Sequence, residues 1–493
     1  MPWHDIACVM TGAVATDLSR HFIQRWNAIR NNRLRNSTKG TTDRERHRKK
    51  PLLLPCYPCE PWTTFHLDKV LVDPRQSSVC QAQVLRSVCD WSLGVPAGNV
   101  RKGLRQEFHE WIKGSDKVTG SSTNNQDTEI GLETSILSAY INCILDAENF
   151  VYIENQFFIS FITISDEDAE KASMDQLDVP STHNAGSHTL THHSAFTRLP
   201  PSSHSPKVKN RIMDALFIRI LRAHRQRKPF RLYIILPLVP GFVGEYGDPS
   251  ARSLYRILHF TRLSLFVGSN ALIPRLKTFI PNPDEYVSIC GLRTYNEWPD
   301  GNMRTEIVYV HSKFMIVDDR KMIIGSANLN DRSMRGKRDS ELAVLIEMDP
   351  LESRQTNHSA FIRRVRRTLM AEHLGVLPSL RRAVCNEWPI EQLNDPVTDS
   401  FFYDVWKATA NKNASIFEEV FNVVPTDNLL TFEECRKNKQ KIPLIVSEPE
   451  RAQQLLESVR GTLVTFPTLF LDLEDLTPPE GTMERVAPEK IWT

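Results

Sequence analysis

Residues 311–330 constrain this chain more than any other stretch. They set His311, Lys313 and Asp318 in an H-x-K-x4-D spacing and follow it with Gly325, Ser326 and Asn328. The pattern predicts three short strands, at 305–311, 313–318 and 321–326, that carry a site between them. His311 and Lys313 are two apart, so on an extended strand both point to one face. An imidazole attacks phosphorus or moves protons near neutral pH. A lysine beside it holds a phosphate oxygen as a point charge. The small Gly325-Ser326 pair is expected to let backbone approach a ligand, and Asn328 to donate to a second phosphate oxygen. A lone histidine on an apolar strand is more often a satisfied core residue. Here an inward lysine shares its face, and a buried ammonium is costly without an anionic partner. These residue types together suit phosphoryl transfer without a metal.

Strands and helices alternate around this segment. Helices are expected at 133–147, 208–226, 251–266 and 268–279, leading into strands at 150–155, 231–237 and 286–292. The alternation predicts an α/β sandwich on a mixed sheet. Residues 339–347 read as a buried strand followed by a helix at 360–370, and the start of the chain repeats that shape. Residues 4–10 read as a strand, and Val14, Leu18, Phe22, Trp26 and Ile29 form a helical apolar stripe. By this repeat, residues 1–30 close a first structural half, and Asp5 is the pseudo-equivalent of Glu341. Segment 31–130 is expected to be a basic loop and connecting region, 131–358 the second half, and 359–493 a helical C-terminal region. Residues 165–206, rich in Ser, His, Thr and Asp, read as a disordered insertion.

Composition narrows the setting. Hydrophobic residues make up 41% of the 493, and no apolar run reaches the ~18 residues of a membrane span. Nine scattered cysteines suit reduced thiols and a cytoplasmic protein. Cys56 and Cys59 have metal-knuckle spacing but no second pair nearby, so they read as a plain turn. His183, His188, His192, His193 and His204 are too irregularly spaced to read as a metal site. No cofactor is expected. The net charge of +2 hides a cluster of nine basic residues between Arg30 and Lys50, opposed by Asp43 and Glu45. The cluster reads as a solvated segment or as a contact for anionic headgroups, at about 1 kcal/mol per basic residue. Nucleic acid is disfavoured because no aromatic residues are interleaved.

Other ordered blocks extend the pattern. They are Pro2-Trp3-His4-Asp5, His21-Phe22-Ile23-Gln24-Arg25-Trp26-Asn27, Gln83-Val84-Leu85-Arg86-Ser87, Tyr152-Ile153-Glu154-Asn155-Gln156-Phe157-Phe158, Leu238-Val239-Pro240-Gly241-Phe242, Cys290-Gly291-Leu292-Arg293-Thr294 and Ile491-Trp492-Thr493. With residues 305–341 they resemble eukaryotic phospholipase D over most of the chain. That family carries two histidine motifs, and the H-x-K-x4-D spacing occurs here once. His47 and Lys49 imitate the first motif, but Leu54 stands where its aspartate belongs. The resemblance implies cleavage of phosphatidylcholine to phosphatidate and choline through a phosphohistidine. The first-motif histidine is then the nucleophile, and His311 is the acid that later becomes the base. It implies that Glu154, Asn155 and Gln156 line the site. It also associates the basic region with phosphoinositide binding, for which Arg20 and Arg25 are best placed, with Arg30, Arg33 and Arg35 beyond them. Small GTPases follow as regulatory partners, and peripheral attachment to intracellular or plasma membranes as the location.

Two assignments stay open on the residues alone. Asp318 is structural or pairs with Lys313. Glu341 or Asp339 accepts the His311 ring proton, with Glu341 preferred. Three functional readings compete: part of a phospholipid-hydrolysing enzyme that begins downstream of its first motif, a homodimer pairing two copies of His311, and a non-catalytic membrane-binding form.

Overall fold

The computed structural model describes residues 1–36, 50, 53, 80–89, 92, 132–174, 198–203, 208–242, 244, 251–348, 361–377 and 390–477. The His47-Lys49 pair, Cys56, Cys59, the five insertion histidines, most of the 30–50 basic run, the Arg35 side chain and the 491–493 block lie outside them.

Ten strands form one mixed sheet. In chain order the elements that matter are β1 (Trp3–His4), α1 (Ala13–Asn36), β2 (Cys80–Val88), β3 (Glu133–Thr134), α2 (Ser135–Asp146), β4 (Phe150–Asn155), α3 (Asp166–Met174), α4 (Ile212–Gln226), β5 (Arg231–Ile235), α5 (Arg252–Leu265), α6 (Leu272–Lys277), β6 (Val287–Glu297), β7 (Met303–Ile307), β8 (Tyr309–Val310), β9 (Lys313–Val317), β10 (Lys321–Gly325), α7 (Asp331–Met334), β11 (Glu341–Met348), α8 (Phe361–His373) and β12 (Leu463–Thr465). The sheet runs β12-β6-β5-β4-β9-β10-β11-β2-β3, with β7 on β6. β4, β5 and β6 are parallel, and β9 to β11 form an antiparallel meander beside β4.

Period-two alternation sorts the central strands onto two faces. Val151, Ile153, Met315, Val317, Ala343 and Leu345 pack with α2 and α4 on one face. Phe150, Tyr152, Phe314, Ile316, Val344 and Ile346 pack with α8 and the 401–406 segment on the other. Both faces are covered, so the strands are apolar throughout and a polar residue in them needs a partner.

The β9–β10 hairpin turns at Asp318 and Asp319, with φ of 53° and 55°. Consecutive left-handed residues match the twist of the strands, and aspartate tolerates that conformation. The Arg320 N–H donates to the Val317 carbonyl at 2.9 Å across the turn. Asp319 accepts from Arg366 of α8 through Nε and Nη2, both at 2.7 Å. That fork ties the helix to the hairpin.

Four expectations change. The first strand is two residues long rather than the 4–10 stretch, and it pairs in parallel with β8. Segment 31–130 is more than a connecting region: it contains β2, whose eight residues Cys80 to Ser87 pair with Met348 to Glu341. Its apolar Leu85 enters the core, a signal that the nearby charges overshadowed. Within the expected disordered insertion, 166–174 is a helix. Ser165 accepts from the Asp168 N–H at 3.1 Å, three acidic residues fill the first turn, and Ala169 is fully buried. The C-terminal region, expected to be helical, also contributes β12, which pairs with β6 and completes the sheet edge.

Candidate active site

The site forms where β8 ends and β9 begins. Parallel pairing sets His4 opposite Val310, and the His311 N–H donates to the His4 carbonyl at 2.8 Å. The next residues of each chain segment are therefore neighbours. The Asp5 carboxylate lies 2.8 Å from His311 Nδ1. Trp3 covers the imidazole, with ring centroids 4.6 Å apart. A carboxylate on Nδ1 fixes the tautomer and turns Nε2 outward for proton transfer. Burial acts to raise the Asp5 pKa, but the hydrogen bonds with His311 and the Ile6 N–H and the charges of His311 and Lys313 together outweigh it and hold the carboxyl below its ordinary value.

Lys313 starts β9 and is buried at 8% exposure. Burial pulls its pKa down to about 8, against the opposing pull of Asp5 and Glu341. Its amine donates to the backbone carbonyl of His311. Asn155 of β4 is its register partner. The Asn155 Oδ1 accepts from the Phe157 and Leu329 N–H groups at 3.1 and 3.2 Å, while its buried Nδ2 has no partner among the described residues. The Asn328 Oδ1 is likewise buried without one. Gln156 reaches the Tyr309 hydroxyl at 2.8 Å.

Glu341 does not accept the His311 proton. It sits on β11, two strands from β9, a separation of about 10 Å. There it accepts from Ser326 and Ser333 at 2.5 and 2.7 Å, and burial raises its pKa. Asp339 pairs with Arg332 at 2.6 Å. Asp5 takes the part assigned to these two. Gly325 serves packing rather than ligand approach, since a Cβ there would collide with the Leu342 carbonyl and Ala343. Ser326 is a partner of Glu341.

Asp318 lies at the far end of β9 from His311 and pairs with neither motif residue. Its carboxylate accepts from the backbone N–H groups of Glu148, Asn149 and Phe150 at 2.6, 2.8 and 2.8 Å. Grouped with His311 and Lys313 by spacing, it belongs to the scaffold that anchors β9 to β4.

Glu154 faces away from Lys313, because adjacent strand residues alternate. It is fully buried on the α8 side. There His4 Nε2 donates at 2.7 Å, His373 Nε2 at 3.0 Å and the Tyr152 hydroxyl at 2.5 Å. Burial would raise the Glu154 pKa, but hydrogen bonds from His373 and His4 hold it well below the usual carboxylate range. Burial would lower His4, but Glu154 and Glu372 outweigh it and raise its pKa to about 10. His4 is therefore a cation clamped between two carboxylates, one residue before Asp5. His373 went unnoticed in the sequence, where it is one histidine at the end of a basic helix. The His4, Glu154 and His373 ligand atoms lie within 4.8 Å of one another, a spacing a metal ion can use. Their mutual hydrogen bonds already satisfy them.

On α1, Arg20 is exposed and pairs with Asp17 at 3.1 Å. Arg25 donates to the Ser92 carbonyl, and Arg30 to that of Lys50. Arg33 is exposed. No helix among the described residues is long and apolar enough to cross a membrane.

The fold is a mixed-sheet α/β structure that sets a carboxylate-oriented histidine beside a buried lysine whose pKa is drawn down to about 8. The family model described as Phospholipase D matches residues 1–294 and 290–387. Human phospholipase D1 is 34% identical over the whole chain, which spans 37% of that protein. Bovine phospholipase D2 is 34% identical, with 100% of this chain and 42% of that protein covered. Phospholipase D zeta 1 of Arabidopsis thaliana is 29% identical, with 100% and 50% covered. The chain belongs to the phospholipase D family. It spans less than half the length of the two animal relatives.

Proposed function

We propose that these residues supply the proton-transfer half of a phospholipase D phosphodiesterase. The observation that carries this reading is the His311–Asp5 contact beside buried Lys313. The substrate is phosphatidylcholine, and the products are phosphatidate and choline. The family resemblance assigns phosphorus attack to the histidine of a second H-x-K-x4-D motif, and the sequence carries that spacing once. In the first step that histidine bonds to phosphorus while His311 Nε2 protonates the departing choline oxygen. In the second step His311 takes a proton from water or a primary alcohol as its oxygen bonds to phosphorus, which breaks the phosphorus–nitrogen bond and frees the attacking histidine. The Lys313 ammonium offsets the charge on the phosphoryl oxygens, the Asn155 Nδ2 donates to one of them, and Asp5 stabilises the imidazolium.

The enzyme acts peripherally on a phospholipid surface. Arg20, Arg25, Arg30, Arg33 and Arg35 on α1, with the basic run after it, bind anionic phosphoinositide headgroups, and small GTPases are regulatory partners. Transphosphatidylation tests the chemistry. In the chain mixed with a polypeptide that carries the second H-x-K-x4-D motif, His311→Asn abolishes phosphatidylalcohol formation if the reading holds, and undiminished product rejects it. Cosedimentation with acidic vesicles that weakens with salt tests the surface.

A further inference from the structure

A second basic cleft lies at the opposite end of β9. Four steps of about 3.3 Å put it some 13 Å of strand away from Lys313. It encloses about 700 Å³ between the end of α2, the outer face of α4 and the β9–β10 hairpin. Six cations line it: Arg198, Arg219, Arg222, Lys228, Arg320 and Lys321. Three carboxylates line it with them, from Asp146, Glu148 and Asp318, and Glu347 beside it pairs with Lys321 at 3.2 Å. Asp146 is already shared by Arg198 at 2.6 Å and Lys321 at 3.2 Å. Asp318 is committed to its three backbone amides.

Two of the arginines do part of a structural job. Arg219 donates to the carbonyls of Ala147 and Glu148, and Arg222 to that of Leu145, which closes the C-terminal end of α2. That job leaves donors over. Arg219 is 3% exposed, yet among the described residues its Nη1 has no acceptor. Arg222 has two such buried donors, Nε and Nη2. Orphaned guanidinium donors are costly, and a cap alone needs neither the surplus charge nor the cavity. Burial, then the charge of Arg222, pulls the Arg219 pKa down to about 10. Burial, then the charge of Arg198, lowers that of Arg222. In both, burial and a neighbouring arginine outweigh the nearby carboxylates, Asp318 and Glu148 for Arg219 and Asp146 for Arg222.

We propose that the cleft between α2, α4 and the β9–β10 hairpin is a second anion site, separate from His311, that takes a phosphate group on the Nε–Nη2 fork of Arg222 and the remaining Nη1 donor of Arg219. Planar guanidinium forks match tetrahedral oxyanions two oxygens at a time. The volume admits a phosphate with the small group that bears it, either a lipid headgroup or a soluble phosphate ester.

The test is calorimetric titration of inorganic pyrophosphate into the 493-residue chain at fixed ionic strength. Lys313→Ala removes the reaction site as a binder, and a saturable site should remain. Adding Arg222→Gln should weaken that site by about tenfold or more. Arg222→Lys keeps the charge without the fork and should give an intermediate loss, with an unchanged circular dichroism spectrum showing that the fold survives. Loss of all binding in Lys313→Ala overturns the proposal. So does binding that Arg222→Gln leaves unaltered in a folded protein. The source is read separately, by sedimentation with phosphatidylcholine vesicles with and without phosphatidate. Phosphatidate-dependent binding that falls in Arg222→Gln assigns a headgroup. Vesicle binding insensitive to Arg222→Gln, beside weakened pyrophosphate binding, assigns a soluble ester.

Discussion

Asp5 Oδ2 sits 2.8 Å from His311 Nδ1, although 306 positions separate the two residues in the chain. The contact follows from two residues of parallel strand, Trp3–His4 against Tyr309–Val310. Asp5→Asn keeps the shape and removes the charge. It should lower kcat for transphosphatidylation by ~10²–10⁴-fold with little change in KM, because the carboxylate acts on the imidazolium of the transition state. A change confined to KM would assign Asp5 to substrate binding instead.

Lys313 sets a pH window. Burial lowers its pKa to about 8, below the ordinary 10.5. Between those values the unfolded chain binds more protons than the folded one, so this residue's contribution to stability rises with pH there. Phosphate affinity runs the other way and falls as the amine neutralises above about 8. Orthovanadate binding followed from pH 7 to 10 should decline in the native protein and stay level in Lys313→Arg, whose guanidinium remains charged.

How much of this was legible beforehand depended on how far the relevant partners lay apart. The central strands are apolar runs, so their presence and the α/β class followed from residues 150–155, 231–237 and 313–326 alone. His311 and Lys313 share a face by local spacing, and that also was local information. Nearness in sequence favours Glu341 as the His311 partner, whereas register across β1 and β8 decides the contact. Asp318 was grouped with the motif by spacing, yet five strand residues carry it to the other end of the sheet. Glu154 and Asn155 were expected in one site, and pleat alternation sends them to opposite faces. His373 of α8, folded back over the sheet, and His4 of β1 together explain why Glu154 is buried as a charge.

The clamp around Glu154 should dominate stability near the N-terminus. Glu154→Gln leaves the His4 cation buried with a weaker acceptor and should cost about 3–5 kcal/mol in urea unfolding. The pH signature has two limbs. His4, raised to about 10, contributes stability in full below its unfolded value near 6.5 and loses it as pH rises through about 10. Glu154, held low, contributes above its unfolded value near 4.5 and loses that as pH falls below it. A native protein whose stability is flat from pH 6.5 to 10, and unchanged by Glu154→Gln, would remove the clamp from the account.

Asp318→Ala separates scaffold from chemistry. Three backbone N–H groups lose a charged acceptor, which should cost about 3 kcal/mol or more. The folded fraction should retain kcat within a few-fold. A loss of ~10³-fold in fully folded protein would return Asp318 to the reaction.

Phosphatidylalcohol formation from phosphatidylcholine and a primary alcohol tests the central claim most directly. The assay takes the 493-residue chain alone and mixed with a polypeptide that carries a second H-x-K-x4-D motif. The account predicts robust product in the mixture and its loss when His311 is changed to asparagine. Product that survives His311→Asn would contradict it.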